Sequence, residues 1–168
     1  MPIVVRPGVV AQRFHAATCL FDSIGYVKTT PDVLQALGSI YQHLHPGGVL
    51  VLEYWHAAAM LRGYEPVRVR RWHMPESSIE RISETRLRPS EQLADVHYTI
   101  HEFLDDDTCV TISETQTNRY FLCEEMHQLL RTSGFLPLAT YAGYDESAAI
   151  TEDTWHIVTV ARRSAKVG

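Results

Sequence analysis

The sequence predicts an α/β fold that carries an antiparallel β insertion, and three observations predict it. An apolar run, an amphipathic helix and a second apolar run follow one another between Phe14 and Leu52, which is the order of a βαβ unit. From Val67 to Tyr120 the period changes to alternation, the mark of strands with one buried face. Helical period returns at Leu122, and two more strand-like runs close the pattern.

The elements follow in order. "FHAATCL" (14–20) is short and apolar and predicts a buried strand, with Gly25 of "FDSIGY" as the turn residue after it. Thr30 suits the N-cap of the next helix, and Pro31 suits its first position, where a missing N–H costs nothing. Val33, Leu34, Leu37, Ile40, Tyr41 and Leu44 recur at helical spacing and form one stripe. Pro46-Gly47-Gly48 is a stop signal, and Val49–Leu52 predicts a strand covered on both faces, as in a parallel sheet. A three-layer core with a mixed sheet and an antiparallel lid is the expected whole. In the lid, Val96, Tyr98 and Ile100 alternate with polar residues, as do Val110 and Ile112, and Asp105-Asp106-Asp107 reads as the hairpin turn between them. Val67, Val69 and Ile82 mark weaker strands. Leu122, Met126, Leu129 and Leu130 then share a helix face that Ser133-Gly134 ends. A strand near Leu136–Tyr141, a loop of small and acidic residues (Gly143 to Asp153) and the strand "TWHIVTVAR" follow. This is one domain over 1–168, with a βαβ part (13–56), an insertion (64–120) and a closing helix with two strands (121–163).

Composition bounds the function. The chain has 168 residues, 45% hydrophobic and 21% charged, as in ordinary globular domains. A net charge of −5 argues against a general nucleic-acid binder. Arg68, Arg70 and Arg71 form the one basic run, and on a strand they alternate faces and read as solvated surface. Cys19, Cys109 and Cys123 are odd in number and widely spaced, which argues against a disulfide framework and for a reducing cytoplasm. The N-terminus lacks a signal peptide's apolar core, and no apolar run approaches the ~18 residues that span a membrane.

Three stretches carry a resemblance. "RFHAATCLFDSIGYVKTTPDVLQAL", "IYQHLHPGGVLVLEYW" and "NRYFLCEEMHQLLRTSGF", closed by "WHIVTVARR", together resemble the C-terminal half of a class I S-adenosylmethionine-dependent methyltransferase. "RISETRLRPSEQLADVHYTIHEF" is similar to the antiparallel insertion of the small-molecule N-methyltransferases that act on nucleotide-linked amino sugars. His15 stands where these enzymes often have Asp, a change read as structural. The family's sheet has the order 3-2-1-4-5-7-6. The resemblance implies a partial Rossmann-like sheet here, strands 4-5-7-6, with no counterpart of strands 1 to 3 or of the G-x-G cofactor loop. None of the nine glycines forms a G-x-G.

In such sheets ligands bind beyond the C-terminal strand ends, at the switch point. The resemblance implies that Leu20, Phe21 and Asp22 flank S-adenosylmethionine. It implies further that Ser23, Tyr26, Tyr54 and Trp55 line the acceptor, and that His56 or Glu53 accepts a proton. Each has a plainer reading. Tyr54 and Trp55 could be rim packing, Glu53 could bond backbone amides or an arginine, and Asp22 and Ser23 could cap a turn. His97 and His101 share a strand face, but no third ligand joins them and no metal site is expected. His43 and His45 flank a helix end, where dipole contact explains them, and Cys19 suits a core.

The implied function is a subunit or fragment of a methyltransferase acting on a small-molecule amine or hydroxyl, with the cofactor bound only in a complemented assembly. The alternatives are a non-catalytic, methyltransferase-like scaffold or partner subunit, and a trimmed chain. A sheet cut beside the first strand leaves residues 16–20 as an apolar edge, which invites pairing. An obligate partner supplying strands 1 to 3, or a homodimer mate, is therefore expected, unless "PIVV" near the N-terminus folds back over the edge.

Overall fold

The computed structural model describes residues 12–106 and 108–164. The "PIVV" segment and Asp107 of the expected hairpin turn lie outside the described residues. Among the described residues there are two four-stranded sheets, and three α-helices pack on or between them. The first sheet has β1 (Phe14–Cys19), β2 (Leu44–Trp55), β8 (His156–Arg163) and β7 (Phe135–Ala142), in that spatial order. β1 and β2 run parallel, whereas β8 is antiparallel to both β2 and β7. This is the 4-5-7-6 arrangement that the resemblance implied.

α1 (Thr30–His43) is the crossover between β1 and β2. Its N-cap is Thr29, one residue earlier than expected. The Thr29 backbone is extended, its Oγ1 accepts from Asp32 N–H, and Pro31 therefore sits in the first turn without leading it. α1 and α3 (Cys123–Thr132) pack together on one face of the sheet. Val33 and Leu37 of α1 and Met126 and Leu130 of α3 meet Leu50, Leu52 and Tyr54, which alternate along that face of β2. Each fully buried aliphatic contributes about 1.5–3 kcal/mol, so this cluster is the main source of stability. The expected third layer is not found among the described residues. Val49 and Val51, on the opposite face of β2, are only half-buried.

Three local expectations change. β2 begins at Leu44, not Val49, because Pro46-Gly47-Gly48 forms a bulge instead of a stop. Phe14 pairs with Leu44 and Ala16 with Val49, and Gly47 takes φ +79° to absorb the extra residues. "FHAATCL" is no buried strand: β1 is a sheet edge among the described residues, and Phe14, His15, Ala16 and Thr18 are exposed. A third helix, α2 (Ala57–Gly63), was not foreseen. Its Ala57 and Met60 form a small second core with Ala94 and Tyr120 at the base of the insertion.

The insertion is the second sheet: β3 (Val67–His73), β4 (Ser77–Arg88), β5 (Leu93–Leu104) and β6 (Cys109–Arg119), all antiparallel. Arg68, Arg81, Ser83, Tyr98 and Val96 share the face turned toward the first sheet. Away from the core both faces meet solvent, so the single wet face expected from the alternation holds only near the base. Val67 and Val69 on one face and Ile112 on the other are all exposed. No helix among the described residues is long and apolar enough to cross a membrane.

Candidate active site

The C-terminal ends of β1, β2 and β7 and the N-terminus of the antiparallel β8 all lie at one edge of the first sheet. That edge faces the insertion, and three groups of residues meet there.

The first group is a clasp. After β1 the chain turns sharply, with Phe21 and Asp22 both in the left-handed region (φ +55° and +53°). Phe21 projects into solvent, 85% exposed, while Asp22 is 3% exposed. Asp22 Oδ1 accepts from the Trp55 backbone N–H (3.1 Å), and Oδ2 accepts from Asn118 Nδ2 (2.9 Å). Asp22 thus joins the ends of β1, β2 and β6. Burial pushes its carboxyl up to about 7; the Asn118 and Trp55 donors oppose that rise, and nearby Glu53 adds to it. Gly25 is required here, because a Cβ on it would lie 2.7 Å from Asp22 Cγ. Tyr26 Oη donates to Gln116 Oε1 (3.1 Å), and Arg119 donates to Thr30 Oγ1 (3.1 Å) and Glu125 (2.8 Å), so the insertion is tied to the core by several bonds.

The second group surrounds Glu53, which is 4% exposed. Its Oε2 accepts from Phe21 N–H and from Tyr144 Oη, each at 2.7 Å, and Oε1 lies 3.0 Å from His156 Nδ1. Gly143, at φ +61°, starts the loop that brings Tyr144 there, and its N–H donates to the His156 carbonyl (2.7 Å).

The third group lines a cleft of about 290 Å³ between the sheets: Trp55, Tyr98, Trp155, Arg81, Arg68 and His156 are among its walls. The Arg81 guanidinium lies over both the Trp72 ring (5.5 Å) and the Tyr98 ring (5.4 Å). No carboxylate among the described residues is within ion-pair distance of it, and its Nε is buried without a partner. Arg68 and Arg70 share this face, whereas Arg71 points to the other and pairs with Glu80 (2.5 Å). All three are exposed, so the basic run is solvated surface as expected, with Arg68 also reaching the cleft wall.

Of the residues expected at the site, Glu53, Trp55, Phe21, Asp22 and Tyr26 do come to this edge. Ser23 donates its hydroxyl to the Leu20 carbonyl (2.6 Å) and Leu20 is half-buried, so both shape the turn. Tyr54 does not line the cleft. It is fully buried on the helix face, with Oη 3.3 Å from Thr159 Oγ1 and its ring edge-on to Phe121. Alternation along β2 sends it opposite to Glu53 and Trp55. His56 is buried too. Its Nδ1 donates to the Thr154 carbonyl (3.1 Å), and it is not among the cleft's walls. His156, Tyr144, Arg81 and Trp155 were missed. The signal for His156 was present: the last strand of this sheet runs antiparallel, so its first residues reach the edge where the parallel strands end.

No family model matches the chain. Over 92 residues it is 30% identical to a dTDP-3-amino-3,4,6-trideoxy-alpha-D-glucopyranose N,N-dimethyltransferase of Streptomyces venezuelae, covering 54% of this chain and 38% of that protein. Over 99 residues it is 29% identical to a dTDP-4-amino-2,3,4,6-tetradeoxy-D-glucose N,N-dimethyltransferase of Saccharopolyspora spinosa (58% and 39%). Among solved structures, an S-adenosylmethionine-dependent methyltransferase of Clostridium acetobutylicum superposes with a TM-score of 0.79 at 15% identity, over 93% of this chain and 61% of that one. The S-adenosylmethionine-bound amino pentose methyltransferase of Micromonospora echinaspora gives 0.72 at 22% identity, over 92% and 60%. The chain therefore has the fold of the strand 4-to-7 part of class I S-adenosylmethionine-dependent methyltransferases. By sequence it is similar to dTDP-amino-sugar N,N-dimethyltransferases, and it spans under two fifths of the length of the proteins it matches.

The residues present fit only one flank of that cofactor. Phe21 and Leu20 offer apolar contact, but the nearby polar atoms of Asp22, Glu53 and the Leu20 carbonyl are already bonded within the chain.

Proposed function

We propose that this chain forms the acceptor-side wall of an S-adenosylmethionine-dependent N-methyltransferase acting on an amino sugar linked to a nucleoside diphosphate. The observation that carries this is the cleft at the strand ends, where flat aromatic walls stand beside an arginine with no carboxylate partner among the described residues. Trp55, Tyr98 and Trp155 suit a base or a sugar face, and Arg81 suits a diphosphate, which guanidinium groups recognise well. The dTDP-sugar substrates named for the relatives have these same parts. Tyr26 and the Asp22 clasp set the distance between the insertion and the core, and so the width of the cleft.

Cofactor binding needs a second wall beside β1. The exposed edge of β1 is suited to continue the sheet into strands that carry it, from a partner chain or from further sequence, with a homodimer mate as the other candidate. Calorimetric titration of the chain with thymidine diphosphate tests the acceptor half: saturable binding that Arg81→Met abolishes is expected. The absence of binding by the wild-type chain would defeat the proposal. Titration with S-adenosylmethionine should show none by this chain alone, and micromolar affinity would overturn the need for a second wall.

A further inference from the structure

The geometry points to His156, oriented by Glu53, as the group that takes the proton from a protonated amine acceptor in the cleft. This rests on the acceptor-wall reading above and goes beyond it by assigning a base. Methyl transfer to nitrogen needs a lone pair, and an ammonium has none. A base at the acceptor must therefore carry a free lone pair, face the cleft and be held in one tautomer.

His156 meets all three conditions. Glu53 is surrounded by donors: Phe21 N–H and Tyr144 Oη on one oxygen, His156 Nδ1 on the other. Nδ1 accordingly carries the hydrogen and gives it to Glu53, which leaves the lone pair on Nε2. His156 is half-exposed and forms part of the cleft wall with Trp55 and Trp155. Its strand position opposite Trp55 fixes it at the edge where the reaction would occur. A carboxylate behind one ring nitrogen holds the ring's orientation.

The step balances simply. One N–H bond of the ammonium breaks, its electron pair stays on the amine nitrogen, and the proton forms a bond to Nε2. The amine is left neutral and nucleophilic, and the imidazolium is stabilised by Glu53 across 3.0 Å. The other candidates are less well placed. His56 is buried and outside the cleft wall, Asp22 has both oxygens bonded in the clasp, and Glu53 is enclosed by its own three donors.

Nitrogen-15 NMR of the histidine-labelled full chain tests this. Two probes are compared near neutral pH, a thymidine-diphosphate-linked amino sugar and the matching sugar with a hydroxyl in place of the amine. Both should bind. Only the amino sugar should move the His156 nitrogens to imidazolium positions, and Glu53→Gln should remove that response while thymidine diphosphate still binds. His156→Gln assigns the signal. Binding of both probes with His156 left neutral, or equal charging by both, would overturn the proposal and spare the acceptor reading. Failure of either probe to bind would defeat that reading, and this one with it.

Discussion

Asp22 should make the protein less stable as pH rises through neutrality, the reverse of what most carboxylates do. Its folded-state value is about 7 and its unfolded value is 3.8, and it is 3% exposed. A carboxyl raised in this way binds its proton in the native state first. Its stabilising contribution is fully present below 3.8 and is lost as pH climbs through about 7. The span of roughly three units is worth ~4 kcal/mol in all, of which about 3 kcal/mol falls between pH 5 and 8. Asn118 suits both states, since its Nδ2 already donates to Asp22 and its buried Oδ1 has no partner. An amide flip would present that oxygen to a protonated Asp22. Asp95 and Glu124 do not blur this window. Hydrogen bonds from Thr117 and from Arg131 hold them below the usual carboxylate range, so their contributions disappear only at lower pH. The assay is urea unfolding of wild type and Asp22→Asn at several pH values from 5 to 8. Wild type should lose about 3 kcal/mol relative to the variant across that range. Parallel curves would refute both the raised value and the clasp's role in setting it.

Three further outcomes follow from the same geometry. Gly25→Ala should destabilise by about 2 kcal/mol or more, as overpacking against the Asp22 carboxylate does, and a thermal melt by circular dichroism would show it; a neutral result would mean that the turn is loose. Phe21→Gly should raise stability by about 1 kcal/mol, because an 85%-exposed phenylalanine gains little from packing while its left-handed backbone is strained; urea unfolding reads this, and a loss of stability would show that the ring packs somewhere. Tyr54→Phe should cost about 1 kcal/mol through the lost Thr159 contact and leave thymidine diphosphate affinity unchanged, whereas weakened binding would return Tyr54 to the acceptor site.

The sequence by itself determined the order of elements apart from α2, because periodicity is a local property. The α1 stripe from Val33 to Tyr41 and the Ser133-Gly134 stop stand as expected, and the alternation from Val96 to Ile112 does mark strands, with one face buried only near the base. The resemblance supplied the sheet order, which local pattern alone does not encode. What only tertiary structure decided is which polar groups meet. Glu53, Tyr144 and His156 come together only because β8 returns antiparallel to β2 and Gly143 turns the loop back over the edge. Arg81 lacks a carboxylate partner among the described residues because the register sets it between Trp72 and Tyr98, on the face opposite Glu80. His56 and Tyr54 lie away from the cleft wall for the same reason. One position along a strand reverses the side a residue faces, and a sequence does not state what lies on each side.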